Sequence, residues 1–157
     1  MNTTESIQAT LHDLLIRSEA FGILLVTKDG KLVETAGRLQ NVNTVALSAL
    51  VAGMFAATRE VARLVGEDHF CILLQQGETR NIHIALLHND MMLVILFEGH
   101  HRIGMIRSCA NHALPALLPY LVEVQKPTVQ LEQGKFREIA SSLIDNIFAE
   151  RDPSCPS

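Results

Sequence analysis

Histidines and cysteines are where metal or covalent chemistry would begin in this 157-residue chain, and their spacing argues against both. His100 and His101, two and three residues after Glu98, come nearest to a metal cluster. Adjacent residues in a strand-to-helix connection rarely converge on one ion, so these three are read as a solvated loop and no metal is assigned. His69, His83, His88 and His112 stand alone in the sequence. A catalytic base needs a nucleophile or acid within hydrogen-bond reach, so each is read as a half-exposed sheet or helix residue. Cys71, Cys109 and Cys155 are odd in number and far apart, with no C-x-x-C, which fits reduced thiols rather than a disulfide scaffold. No G-x-x-x-x-G-K-S/T, G-x-G-x-x-G or H-E-x-x-H occurs, so the chain has neither a nucleotide cradle nor a zinc helix of the usual kind. The expectation is a protein that is not an enzyme and carries no cofactor.

The elements that hold these residues are organised around 43–66, N-TVALSALVAGMFAATREVARLV-G, a helix with Asn43 as N-cap and a glycine stop. At 3.6 residues per turn, Leu47, Leu50, Val51, Met54, Val61, Leu64 and Val65 form a bulky stripe, read as the side that lies on a sheet. Val45, Ser48, Ala49, Ala52, Gly53 and Ala56 form a strip of small residues that turns charged at Arg59, Glu60 and Arg63. Small residues admit a close backbone, so this strip is read as a contact surface for a second chain; a second element of the same domain is the alternative.

Before this helix, Asn2 and Glu5 suggest a capping box, and Ile7, Leu11, Leu14 and Leu15 recur at helical spacing to about Ser18. Residues 21–27 (FGILLVT) and 31–36 read as strands joined by a turn at Lys28-Asp29-Gly30. After it come strands at 70–75 (FCILLQ), 81–88 and 91–97 (MMLVILF). The two wholly apolar runs, 21–27 and 91–97, belong in the middle of a sheet. From Ile103 helical spacing returns through Leu121, with a kink or break expected near Leu114 because Pro115 and Pro119 each remove a helix hydrogen bond. The order helix, two strands, helix, three strands, helix predicts an α+β domain over 1–124, an antiparallel five-stranded sheet covered by helices. Residues 125–135 read as a linker, 136–150 as an amphipathic helix with Phe136, Ile139, Leu143, Ile147 and Phe148 on its apolar stripe, and 151–157 as a disordered tail. That last helix is too short to stand alone and is expected to dock, either on its own domain or in the groove of a partner.

Composition narrows the partners. A net charge of −4 and 4% aromatic residues offer neither a basic field nor stacking platforms, so nucleic acid is excluded. The charge-free run 39–58 opens on polar residues and leaves an apolar stretch too short to span a bilayer. With no visible secretory signal in MNTTESIQ, a cytoplasmic location is expected.

The element order, together with DGKLVETAG (29–37), SALVAGMFAATREVARLVGEDHF (48–70), LVILF (93–97) and IGMIR (103–107), resembles the Roadblock family of small dimeric regulators. Within that family LVAG (50–53), VGEDHF (65–70), QGE (76–78) and IDNIFAE (144–150) are similar to the MglB type. The resemblance implies a homodimer with sheets joined edge to edge, placing Val45, Ala49, Ala52, Phe70 and Ile72 at the dimer contact. It further implies binding to a small Ras-like GTPase of the MglA type, with allosteric stimulation of GTP hydrolysis in cell polarity and motility. Ala52, Gly53, Ala56, Arg59, Glu60 and Arg63 would meet the GTPase switch region, and Phe136, Ile139, Leu143, Ile147 and Phe148 would dock on it separately. A Roadblock scaffold that holds a GTPase or signalling protein without changing hydrolysis is the alternative.

Overall fold

A computed structural model describes residues 2–88 and 91–124, all within one compact unit, Met1–Gln125. The expectations for the linker, the amphipathic helix and the tail lie outside the described residues. Eight main elements follow one another: α1 (Thr3–Ser18), β1 (Gly22–Thr27), β2 (Leu32–Gly37), α2 (Thr44–Leu64), β3 (Ile72–Gln76), β4 (Arg80–Leu86), β5 (Met91–Glu98) and α3 (Ile103–Val124). A 3-10 turn, His100–Arg102, leads into α3. The strands form one sheet in the order β2-β1-β5-β4-β3, with every neighbouring pair antiparallel. The expected α+β architecture is thus found, with the two apolar strands side by side at its centre.

Strand alternation sorts the core into two layers. On one face Ile23, Leu25, Leu93, Ile95 and Phe97 meet Ile7, Leu11 and Leu14 of α1 and Ile106, Leu117 and Leu121 of α3. On the other, Leu24, Val26, Ile84, Met92, Val94 and Leu96 meet Val51, Ala52 and Phe55 of α2. Two helices cover the first face and one covers the second.

The helix ends follow their sequence signals. Asn2 donates its amide to Glu5 Oε2 (3.3 Å) at the start of α1, and Asn43 Oδ1 accepts from the Ala46 amide (3.1 Å) at the start of α2. Gly66, with φ +84°, lets the chain leave α2 while the Glu67 amide donates to the Ala62 carbonyl (2.9 Å). Glu19 is left-handed (φ 54°) without being glycine, and Arg102 holds it: Nη1 donates to the Glu19 carbonyl (3.1 Å) and Nη2 pairs with its carboxylate (3.4 Å).

Two expectations are corrected. α3 runs through Pro115 and Pro119 without a break or restart near Leu114. Both prolines are exposed, so the carbonyls they leave unbonded are on the solvent side, while the opposite side of the helix stays anchored by its buried residues. The apolar run is also longer than expected. α2, with 21 residues and a mean hydropathy of 1.4 over its most apolar window, is by length and composition able to cross a membrane. Val51, Ala52 and Phe55 pack against the sheet, but only 22% of that window is buried, and Leu50, Val61 and Leu64 lie on a flank that the fold leaves open.

Candidate partner-binding face

α2 seats only part of the expected stripe on the sheet: Leu47, Val51 and Met54 pack there, and the rest turns outward. Ser48, Val51, Ala52, Phe55 and Ala62 face inward, whereas Leu50 is 67% exposed, Val61 50% and Leu64 86%. The error has a physical origin: Phe55 and the small residues on either side set the seam, and a helix axis only about 10 Å from a sheet accommodates Ser and Ala better than three branched side chains. Ser48 donates its hydroxyl to the Thr44 carbonyl (2.6 Å), so its burial leaves no unmatched polar group.

Part of the small strip is covered by the same domain, as the alternative reading allowed. The β1–β2 turn reaches up to it, and Gly30 (φ +89°) lies so close that an added Cβ would stand 3.1 Å from the Ala49 Cα. The turn is tied by the Gly30 amide to the Thr27 carbonyl (3.0 Å) and by the Lys31 amide to Thr27 Oγ1 (3.0 Å). Ala52, only 9% exposed, is therefore placed against its own sheet and turn rather than offered to a partner. Gly53 is the opposite case: nothing stands within 4 Å of where its Cβ would be.

The remaining residues singled out from the sequence divide by position. Val45, Ala49, Gly53, Ala56, Glu60 and Arg63 are exposed, and Arg59 and Phe70 are half-buried. Arg63 Nη1 pairs with Glu60 Oε1 (3.1 Å), so neighbouring charges on the last turns are matched within the helix. Ile72 is exposed on β3, the edge strand, and Gln75 of that strand reaches Met54 Sδ (3.2 Å), which fixes the apolar flank of α2 beside the open edge. The flank beside that edge carries Leu50, Val61 and Leu64, which sequence periodicity assigns to the core, while Met54 at its border packs against the core.

Groups capable of chemistry gather elsewhere. A cleft of about 620 Å³ between the end of α2, the start of β3 and the second half of α3 is lined by Arg59, Asp68, His69, Cys71 and His88, with Leu86, Leu87, Leu114 and Leu118. Among the described residues no three His, Cys, Asp or Glu side chains are placed to share a metal ion. His100 instead contacts the Gly77 carbonyl through Nε2 (2.9 Å). His83 corrects the expectation of a half-exposed residue: it is 1% exposed, as is Asn81, because the sheet carries helices on both faces and the polar side of β4 is buried as well. Burial pushes its imidazole below the ordinary value, and Arg107 on α3 lowers it further.

The chain matches the model of the Roadblock/LC7 domain over residues 7–97. Among solved structures, Myxococcus xanthus MglB is 28% identical with a TM-score of 0.73, covering 80% of this chain and 94% of that one. An MglB with tetrameric arrangement is 25% identical, with a TM-score of 0.74 and 78% and 93% coverage. The gliding protein MglB from Thermus thermophilus is likewise 25% identical, with a TM-score of 0.72 and 78% and 93% coverage. Among curated proteins no match was found.

Proposed function

The chain belongs to the Roadblock/LC7 family and is MglB-like within it, and from that premise we propose that it is a homodimeric regulator of a small Ras-like GTPase of the MglA type. It has no active site of its own in this reading. It binds the GTP form of its partner and raises hydrolysis by holding the GTPase's own catalytic groups in the productive arrangement, and so acts in cell polarity and motility from the cytoplasm. One observation carries the proposal: the apolar flank of α2, with Leu50 and Leu64 largely exposed, lies beside the unpaired edge of β3 in a fold shared with MglB. Apolar side chains next to free strand hydrogen bonds are what an edge-to-edge subunit contact buries.

In this dimer Val45, Ala49, Phe70 and Ile72 border the subunit contact, and Gly53, Ala56, Glu60 and Arg63 present a low platform to the GTPase switch region. Ala52 supports that platform from beneath and Arg59 flanks it. The segment 136–150 docks on the GTPase through Phe136, Ile139, Leu143, Ile147 and Phe148, with 125–135 as its tether. Light scattering at micromolar concentration is expected to give about twice 17.3 kDa. GTP hydrolysis by the cognate GTPase is then measured with and without the protein. A rise in rate supports the proposal, and binding with an unchanged rate returns the protein to the scaffold reading.

A further inference from the structure

A sheet of five antiparallel strands has two edges, and here β3 and β2 are built differently. β3 pairs with β4 in unbroken register from Ile72↔Ala85 to Gln76↔Asn81, and its sequence, ILLQQ, carries no charge. Ile72 and Leu74 are each 36% exposed along it. A regular, uncharged edge with apolar side chains is a template for another strand. β2 departs from that pattern. Its register with β1 shifts between Leu25 and Val26, which stand opposite Glu34 and Leu32, so Val33 is an extra residue that breaks the outward row of backbone groups. At the far end Gly37, with φ +97°, is outside the range of extended backbone and ends the strand. Residues 34–36 are the regular edge that remains.

Within that remnant the edge amide is already taken. Thr35 donates its N–H to Glu34 Oε1 (3.0 Å), which marks it as an amide that alternation turns away from β1. The carboxylate occupies the place where the carbonyl of an added strand would bond. A strand joining here would have to displace it, and the displaced charge would lose its donor and be crowded against the newcomer with less water around it. Lys31 and Arg38 add charges at the two ends of the same edge. Space is not what keeps a strand out, because a cleft of about 540 Å³ lined by Gln8, Ala9 and His12 of α1 lies against Thr35, Ala36 and Gly37.

We propose that the β2 edge is closed to other strands, with the Glu34 carboxylate as its stop, and that edge-to-edge assembly of this chain is confined to β3 and to a second copy. The limit of two copies rests on the dimer proposed above, whereas the closure of β2 does not. In a pair joined through β3, both outer edges of the combined sheet are β2. Were they open, each pair would offer two further edges, and the contact would repeat without closing.

Sedimentation velocity of the full chain over about a hundredfold range of concentration tests this. The wild type is expected to keep one mass, and Glu34→Gln, which retains an acceptor for the Thr35 amide, is expected to follow it. Glu34→Val removes the acceptor and favours the strand, so the edge association constant is expected to rise by about tenfold and the average mass to climb with concentration to at least about twice the wild-type value. A folded Glu34→Val that sediments as the wild type, a Glu34→Gln that grows as Glu34→Val does, or a wild type that itself grows would each overturn the stop. A wild type of constant mass near 17.3 kDa, with growth confined to Glu34→Val, would instead remove the dimer and keep the stop. Should Glu34→Val fail to fold, the Thr35 amide of the wild type decides: hydrogen exchange slowed about tenfold relative to an unbonded amide supports the stop, and exchange at the unbonded rate refutes it.

Discussion

The two faces of the sheet begin from the same alternation of side chains and end in different states. Under α1 and α3 the apolar residues of β1 and β5 are closed over, and what is left unsatisfied is polar, Asn81 and His83. Under α2 the buried Ser48 has its bond, and what is left unsatisfied is apolar, the flank carrying Leu50, Val61 and Leu64. An exposed apolar flank is relieved by adding a surface, whereas a buried polar pair calls for a hydrogen-bonding group inside the core. The first face is thus closed within the chain and the second is left open on one flank, from the same five strands.

The sharpest way to test that contrast is to remove a large side chain from each face. Phe97 is fully buried beneath α1 and α3, so Phe97→Ala is expected to cost about 3–5 kcal/mol, a large part of the roughly 5–15 kcal/mol that holds a domain together. Denaturant unfolding measures it at fixed protein concentration, and a loss below about 1 kcal/mol would mean that this face is less closed than its packing indicates. On the other face a charge is more telling than a deletion. Leu50→Glu places a carboxylate on the open flank, where it stays hydrated in a monomer but is buried in a dimer. The expected outcome is a monomer by light scattering that keeps its fold by circular dichroism. Unfolding of this variant would instead assign the flank to the core and erase the contrast.

Which parts of this were legible in the sequence follows from which physical signals are local. The strands, the Asn43 cap, the Gly66 stop and the β1–β2 turn depend on residues within a few positions, and they stand close to where periodicity and turn chemistry put them. The seating of α2 does not. A helix apolar nearly all round offers two sides to a sheet, and the choice was made by Phe55 and by Gly30 rising from another hairpin to meet Ala49, a contact between residues 19 positions apart. His83 reads as half-exposed for a related reason. The alternation of Asn81 and His83 with Ile82 and Ile84 is the signature of a strand wet on one side, and only the presence of helices on both faces makes it a buried pair. Residues 125–135, which read as a linker from composition, and 136–150, which read as a helix from an apolar stripe, lie outside the described residues, and their docking remains with the proposed function.

The smallest effect expected on this comparison comes from the charged end of the open face, at Arg59 and Arg63. An arginine supplied in trans to a GTPase is worth about 10³ to 10⁵ in rate because it neutralises charge on the transferring phosphoryl group, which requires a guanidinium that extends freely into the nucleotide pocket. Neither residue is placed for that. Arg63 is paired with Glu60 along the helix, and Arg59 is half-buried beside the cleft that holds Asp68 and His69. Both stand on a helix whose platform of Gly53 and Ala56 is too broad to enter such a pocket. Breaking an exposed pair three residues apart on a helix changes stability by about 0.5 kcal/mol at most, so Arg63→Ala is expected to leave the fold and the dimer as they are. Its effect on the GTPase is then confined to affinity: at saturating regulator, single-turnover hydrolysis with Arg59→Ala or Arg63→Ala is expected within about tenfold of the wild type. A fall of about a thousandfold in either variant, with binding retained, would make that arginine a catalytic finger and the open face a source of chemistry rather than of positioning.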